Sequence, residues 1–390
     1  MTTPIYIEYY PKKQEYPQIV FKTLDELSDY LQKRPRLFNA DLSQLDLTCP
    51  RGQALFNKIN GYTDQVIWPA EMAEQMAQQL ENGKDSGLGI SLLHQKGYTG
   101  KGVNVAIIDQ ALYIDHSEYK DNVVFYKTGI GHGPEEVRNT AQYHGPAVAS
   151  LLCGKTCGSA PDANLFYYSW FGLDQKTHRQ DSNTVLPLLQ EIIEWNNTHA
   201  DKDKIRCLSC SWGDRTDIAF EERQALFKKV EESGCMVFGG FYASTVGRQS
   251  CGGFKINPVS DSIENLQVEV PAGIPMETAK KRLPHCVVVP EHNRTFASQV
   301  GGYMYEKQGG ASWTYPYLAG LVACGLQAFP SYTQQKNWQD KIWQDLLSTG
   351  TKDPRNYGAV TVNPVRFIEK MEYYRALENK RLAEHFGNHK

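Results

Sequence analysis

Gly310-Ala311-Ser312-Trp313-Thr314-Tyr315-Pro316, followed at once by the apolar run from Tyr317 to Leu326, decides how this chain is read. A turn of small residues presents a serine, and the apolar run behind it predicts a buried helix. A serine at the mouth of such a helix has its hydroxyl at the positive end of the helix dipole. Backbone N–H groups without intrahelical partners lie beside it. Those groups can hold a negatively charged oxygen, which is half of what acyl transfer needs; a base must supply the rest.

A base and its orienter stand upstream. Val103-Asn104-Val105-Ala106-Ile107-Ile108 follows Gly102 and is short, apolar and β-branched, so it reads as a buried parallel strand. It ends in Asp109, on the edge where open α/β sheets gather their ligands. His144 opens a predicted helix, Gly145 to Cys153, whose small residues permit close packing on a sheet. Taken singly, Asp109 reads equally as a turn carboxylate, His144 as a capping or core histidine and Ser312 as an N-cap. Together they give Asp, His and Ser, in that order, each at an element terminus. In a triad the Asp fixes the imidazole tautomer, the His takes the hydroxyl proton and the Ser attacks.

With their flanks, these segments resemble the subtilisin-like serine peptidases. The stretch from Gly97 to Asp109 is similar to the family's strand into its catalytic Asp. His144 to Ser150, then Gly158 to Leu165, resembles the His helix and the "G-x-A-P-x-A" strand after it. Leu208 to Gly213 resembles the "M-S-L-G" strand, Gly310 to Pro316 the "G-T-S-M-A-x-P" motif, and Asn356 to Asn363 the closing "Y-G-x-G-x-I-N" turn. The likeness runs from about residue 88 to about residue 372. It implies an α/β fold, a subtilisin-like three-layer sandwich with a central, mostly parallel sheet. It also implies a serine endopeptidase acting on peptide or protein, without a cofactor. Asp109 would be the orienter, His144 the general base and Ser312 the nucleophile. Ser211, Trp212 and Gly213 would line one side of the substrate cleft, and Phe238, Gly239 and Gly240 the other.

The chain departs from the pattern at the oxyanion site. Where the family has "A-A-G-N", this sequence continues Met236-Val237-Phe238-Gly239-Gly240-Phe241, and a one-residue shift brings in Tyr242 instead of an Asn. Loss of one such donor costs roughly 2.7–4 kcal/mol, about 100- to 1,000-fold in rate, a magnitude that itself comes from a subtilisin-type enzyme. The Ser312 backbone N–H remains, and a hydroxyl from Tyr242 or Ser244 could substitute in principle. Further, "D-S/T-G" becomes Asp109-Gln110-Ala111, the Thr before the nucleophile becomes Ala311, and Trp313, Thr314 and Tyr315 replace small residues and narrow the cleft. No family motif can be placed from about 243 to about 290. The alternative these departures favour is a catalytically impaired pseudopeptidase that binds peptides or acts as a scaffold.

The chain has 390 residues, 41% of them hydrophobic, enough for one large domain and a smaller one. A formal charge of −3 gives no reason to expect nucleic acid or an anionic membrane as partner. No basic leader precedes an apolar core at the N-terminus, and no run approaches the ~20 apolar residues that span a bilayer, so a cytoplasmic location is expected. Nine cysteines without a secretory signal read as free, buried thiols. Cys207 and Cys210 have metal-like spacing, but on a strand they face nearly opposite ways, and no metal site is assigned.

Residues 1–87 are expected to form a small α+β module, either an accessory unit that docks a partner protein or a removable propeptide. Residues 4–10 and 16–22 read as strands around Pro11-Lys12-Lys13, Leu24 to Leu31 and Glu71 to Leu80 as helices, and Glu81 to Gly87 as the linker. The peptidase-like unit spans 88–372. Residues 373–390 extend a charged helix that starts near Val365, with Phe367, Met371, Tyr374, Leu377 and Leu382 as its apolar stripe.

Overall fold

The computed structural model describes residues 4–129, 135–173, 181–212, 220–255, 262–268 and 275–387. In chain order, the elements that matter to the site are β1 (Tyr6–Ile7), α1 (Leu24–Lys33), β2 (Arg36–Leu37), β3 (Gly61–Thr63), α2 (Ala70–Asn82) and β4 (Asn104–Asp109). Then come β5 (Val123–Thr128), α3 (His144–Cys153), β6 (Asn164–Ser169), α4 (Leu186–Thr198), β7 (Ile205–Ser209), α5 (Phe220–Glu232), β8 (Met236–Phe238) and α6 (Gly240–Val246). β9 (Gln249–Lys255), β10 (Cys286–Pro290), β11 (Arg294–Ala297), β12 (Tyr303–Glu306), α7 (Thr314–Ala328) and α8 (Pro364–Gly387) complete them.

A six-stranded sheet in the order β1-β5-β6-β4-β7-β8 forms the centre, and every pairing in it is parallel. Its strands are buried on both faces, and alternate residues feed two separate cores. Val105, Ile107, Leu165, Tyr167, Cys207 and Met236 join the core on the side of α3 and α7. Ala106, Ile108, Phe166, Tyr168, Leu208 and Val237 join the core on the side of α4 and α5. Cys207 and Cys210 fall into opposite cores, as their strand spacing requires. All nine cysteines are free thiols, and only Cys49 and Cys251 are not fully buried.

α7 is the helix predicted from the apolar run after Ser312, and Leu318, Leu321 and Val322 in it are wholly buried. It is apolar all round, so packing on every side fixes its position. α3 approaches the sheet because position 145 is glycine: a Cβ there would stand 2.4 Å from the Gln110 carbonyl oxygen and 2.7 Å from the Tyr167 hydroxyl. α8 buries Phe367 and Met371 against α7, where a Cβ on Gly325 would meet the Phe367 ring at 2.6 Å. The N-terminal part of that stripe therefore docks on its own chain while Leu382 is exposed, and the helix passes position 372 without a break.

The leading residues have a core of their own, built from Phe21, Leu27, Leu31, Leu37, Tyr62, Trp68 and Met76. α1 starts at a capping box in which the Thr23 side chain and the Glu26 side chain each bond the other's backbone N–H. The expected strands are shorter than their apolar runs, with two residues each at Tyr6–Ile7 and Ile19–Val20. The reason is their exposure: Ile5, Tyr10, Ile19 and Val20 have little apolar surface to pack against. This segment is joined to the rest by backbone pairing. β1 extends the edge of the central sheet, and β3 pairs antiparallel with β12 in a four-stranded sheet ordered β11-β12-β3-β2.

Truncating the buried α7 core should be costly. Leu321→Ala is expected to lower the unfolding free energy by about 2–5 kcal/mol in urea titrations, through lost burial plus a cavity. Leu92→Ala, at a side chain 49% exposed, should stay within about 0.5 kcal/mol.

Candidate active site

The last residue of β4 is Asp109, which the strand carries to the C-terminal edge of the sheet. Its side chain is buried. Oδ1 accepts two hydrogen bonds, from His144 Nδ1–H at 2.7 Å and from the Gln110 backbone N–H at 2.8 Å. Oδ2 has no hydrogen-bond partner among the described residues.

His144 is the first residue of α3. Its ring lies between the Asp109 carboxylate and the Trp313 indole, whose centroid is 5.3 Å away at an interplanar angle of 29°. Trp313 is itself fixed by Phe296, at 5.0 Å, and by Tyr143. Burial works against a charged imidazole, but the Asp109 charge and hydrogen bond outweigh it, so the pKa lies above the usual 6.5. Glu306 raises it further and Arg36 lowers it.

Ser312 sits in a single 3-10 turn, Ala311–Trp313, that leads into α7. Its hydroxyl donates to the Ser211 carbonyl at 3.0 Å, and the Ser211 hydroxyl donates back to the Ser312 carbonyl at 2.8 Å. This reciprocal pair pins the serine turn to the residues just past β7. The fold thus brings Asp109 and His144 into direct contact and sets Ser312 beside them through Trp313, with the serine hydroxyl bonded to Ser211 rather than to the imidazole.

The expected cleft walls divide. Ser211 is buried in the bond just described. Trp212 lies over the strand ends, with Nε1–H on the Ile108 carbonyl at 3.0 Å and its ring 4.4 Å from that of Trp170. Gly213 lies outside the described residues. Phe238, expected on the opposite wall, points into the core instead, because its strand parity matches Met236. Gly239 and Gly240 remain at the turn, where Gly239 caps α6. Phe241 and Tyr242, expected as the oxyanion region, belong to the first turn of α6. The Tyr242 hydroxyl bonds Glu231 Oε2 at 3.4 Å, and its ring packs in the core on the α4–α5 side. It is therefore corrected from a cleft residue to a packing residue. It lines a separate hollow of about 880 Å³ around Glu231 and Arg248 that touches none of Asp109, His144 and Ser312.

Two features were not anticipated. A cavity of about 460 Å³ opens beside Ala311, between β9 and β10 and the 308–311 turn, and includes Cys251, Cys286, Glu291 and His292. It draws on the stretch from 243 to 290 that carried no placeable motif, so no local signal marked it. The leading segment also reaches the site. Arg36 of β2 pairs with the buried Glu306 at 2.5 Å and lies 4.8 Å over the Tyr143 ring, next to His144. Asn60 holds the following turn, with its carbonyl accepting from Lys307 N–H at 2.7 Å, Oδ1 from Gln308 N–H at 3.0 Å and Nδ2 donating to the Gln308 carbonyl at 3.1 Å.

No protein-family model matches the chain. It is 38% identical over 87 residues to the minor extracellular protease Vpr of Bacillus subtilis, a match covering 20% of this chain and 11% of Vpr. It is 30% identical over 105 residues to the subtilase-type proteinase RRT12 of Saccharomyces cerevisiae, covering 26% and 19%. It is 24% identical over 309 residues to the serine protease AprX of Bacillus subtilis, covering 68% and 66%. The matched part therefore spans less than a fifth of the first two relatives and just under two thirds of the third. Among solved structures, the prenylagaramide maturation protease PagA aligns with a TM-score of 0.47 and 15% identity, over 73% of this chain and 98% of that one. The similarity is thus to subtilisin-like serine proteases at low identity or over short stretches, and the five ordered motifs and the parallel sheet are consistent with a divergent member of that family.

The charges around His144 make its titration adjustable. The groups facing it are Asp109 from β4, Glu306 from β12, Arg36 from β2 and the neighbouring Tyr143 phenol. Arg36→Met removes the cation paired with Glu306 and should raise the imidazole midpoint; Glu306→Gln should lower it. Histidine-selective NMR titration of the full chain reads both shifts, and opposite signs separate charge effects from loss of structure.

Proposed function

We propose that the chain is a serine endopeptidase that cleaves peptide bonds through an acyl-enzyme on Ser312. The observation that supports this most is the 2.7 Å bond from His144 Nδ1 to Asp109 at the sheet edge, with Ser312 held at the mouth of α7 beside it. The bond fixes the tautomer that leaves Nε2 as acceptor. For attack, the Ser312 hydroxyl exchanges its bond to the Ser211 carbonyl for one to Nε2. The Oγ–H proton passes to His144 as Oγ bonds the scissile carbonyl carbon. His144 then returns that proton to the leaving amine as the C–N bond breaks, and water repeats the sequence to release the acyl group. An extended peptide would be held by backbone pairing along the cleft edges.

We further read residues 1–87 as a permanent part of the protein rather than a removable propeptide. The support is the β3–β12 pairing and the Asn60 and Arg36 contacts beside the serine turn.

One observation favours the second reading, a pseudopeptidase. The Ser312 hydroxyl is engaged by Ser211, and Trp313 covers the imidazole. A fluorophosphonate probe decides between them. The folded wild type should be labelled, Ser312→Ala should not, and His144→Ala should label about 100- to 10,000-fold more slowly. The rate should fall as pH drops below the raised His144 midpoint, where the base becomes protonated. Absence of labelling in the folded wild type would sink the peptidase reading.

A further inference from the structure

Attack by Ser312 puts negative charge on the carbonyl oxygen, and that charge needs preorganised donors. The Ser312 backbone N–H is one. Tyr242 does not supply another, since its hydroxyl is bonded to Glu231. The next helical turn does hold a candidate. Tyr315 stands three residues past Ser312, and residues at that spacing are neighbours on a helix surface. Its phenol reaches across to the turn after β8. A Cβ built on Gly240 would stand 2.5 Å from the Tyr315 hydroxyl oxygen and 3.5 Å from the ring carbon that bears it. That is the separation at which an asparagine side chain places its amide nitrogen from its own Cβ. The phenol hydroxyl thus lies against the backbone of Gly240, one residue before Phe241, and a side chain at position 240 would collide with it.

The turn is anchored to the nucleophile through neighbouring backbone. The Cys210 N–H bonds the Phe238 carbonyl at 2.8 Å, and the next residue, Ser211, carries the bonds to Ser312. We propose that the Tyr315 hydroxyl is the side-chain oxyanion donor of this peptidase, acting with the Ser312 backbone N–H in place of the absent asparagine. The inference rests on the peptidase reading above. Burial, with a smaller contribution from Glu291, pushes the phenol up to about 12, so the group remains a donor at neutral pH. No proton is transferred: the O–H shortens its hydrogen bond as the oxyanion forms and relaxes when the acyl-enzyme carbonyl returns.

The test compares the rate of fluorophosphonate labelling at Ser312 in the full chain. Tyr315→Phe removes one oxygen and should slow labelling about 100- to 1,000-fold. Gly240→Asn added to Tyr315→Ala, which removes the ring as well, has room for its side chain and should label at least about tenfold faster than Tyr315→Ala alone. Gly240→Asn alone, which collides with the phenol, should not accelerate the wild type. Labelling of Tyr315→Phe at the wild-type rate overturns the assignment while leaving the peptidase reading intact. A slow Tyr315→Ala that Gly240→Asn does not rescue also counts against it, since the loss then has another source. An unlabelled wild type overturns both proposals.

Discussion

The hydrogen bond from His144 to Asp109 exists because a helix start and a strand end are forced into contact. Asp109 closes β4, and the parallel sheet delivers it to the edge that faces the α3 side. His144 opens α3, and the missing side chain at Gly145 lets that helix settle on the Gln110 carbonyl and the Tyr167 hydroxyl. A methyl group at 145 would push the imidazole off its carboxylate. The serine turn depends on the same framework, because its anchor, Ser211, follows β7, the strand paired to β4. Packing therefore sets the chemistry: two buried sheet faces leave the strand ends no freedom to drift.

The electrostatics at this edge are shared with the leading segment. Glu306 is buried behind the site, and a buried carboxylate requires a partner. Arg36 is that partner, supplied from a strand near the start of the chain. Asn60 then fixes the backbone between Glu306 and the serine turn. The segment is thus tied to the site by backbone pairing, an ion pair and side-chain bonds. Apolar contact adds to these ties: Tyr305 of the later chain enters the leading segment's core, and Ile7, Tyr9 and Phe38 pack against the main core.

The oxyanion side differs from the family pattern in a coherent way. Gly239 and Gly240 follow β8 with no side chain, and Tyr315 brings its phenol up to Gly240. The residues after Ser312 that looked like simple obstruction thus divide by role. Trp313 stacks on the imidazole, Thr314 bonds the Ala311 carbonyl at 2.8 Å, and Tyr315 reaches the Gly240 turn.

The sequence alone determined the strands and helices that carry Asp109, His144 and Ser312, because buried parallel strands and all-apolar helices leave unmistakable runs bounded by Gly and polar termini. The all-apolar run from Val105 to Ile108 also marked its strand as buried on both faces. Contacts between distant segments were decided only by tertiary structure. Phe238 and Tyr242 face the core, Tyr315 meets Gly240 across 75 positions, and Arg36 meets Glu306 across 270. Local pattern reports which face of an element is apolar. It carries no record of which side chain from elsewhere will complete a charge or fill a turn, and those pairings arise only when packing fixes the elements against one another.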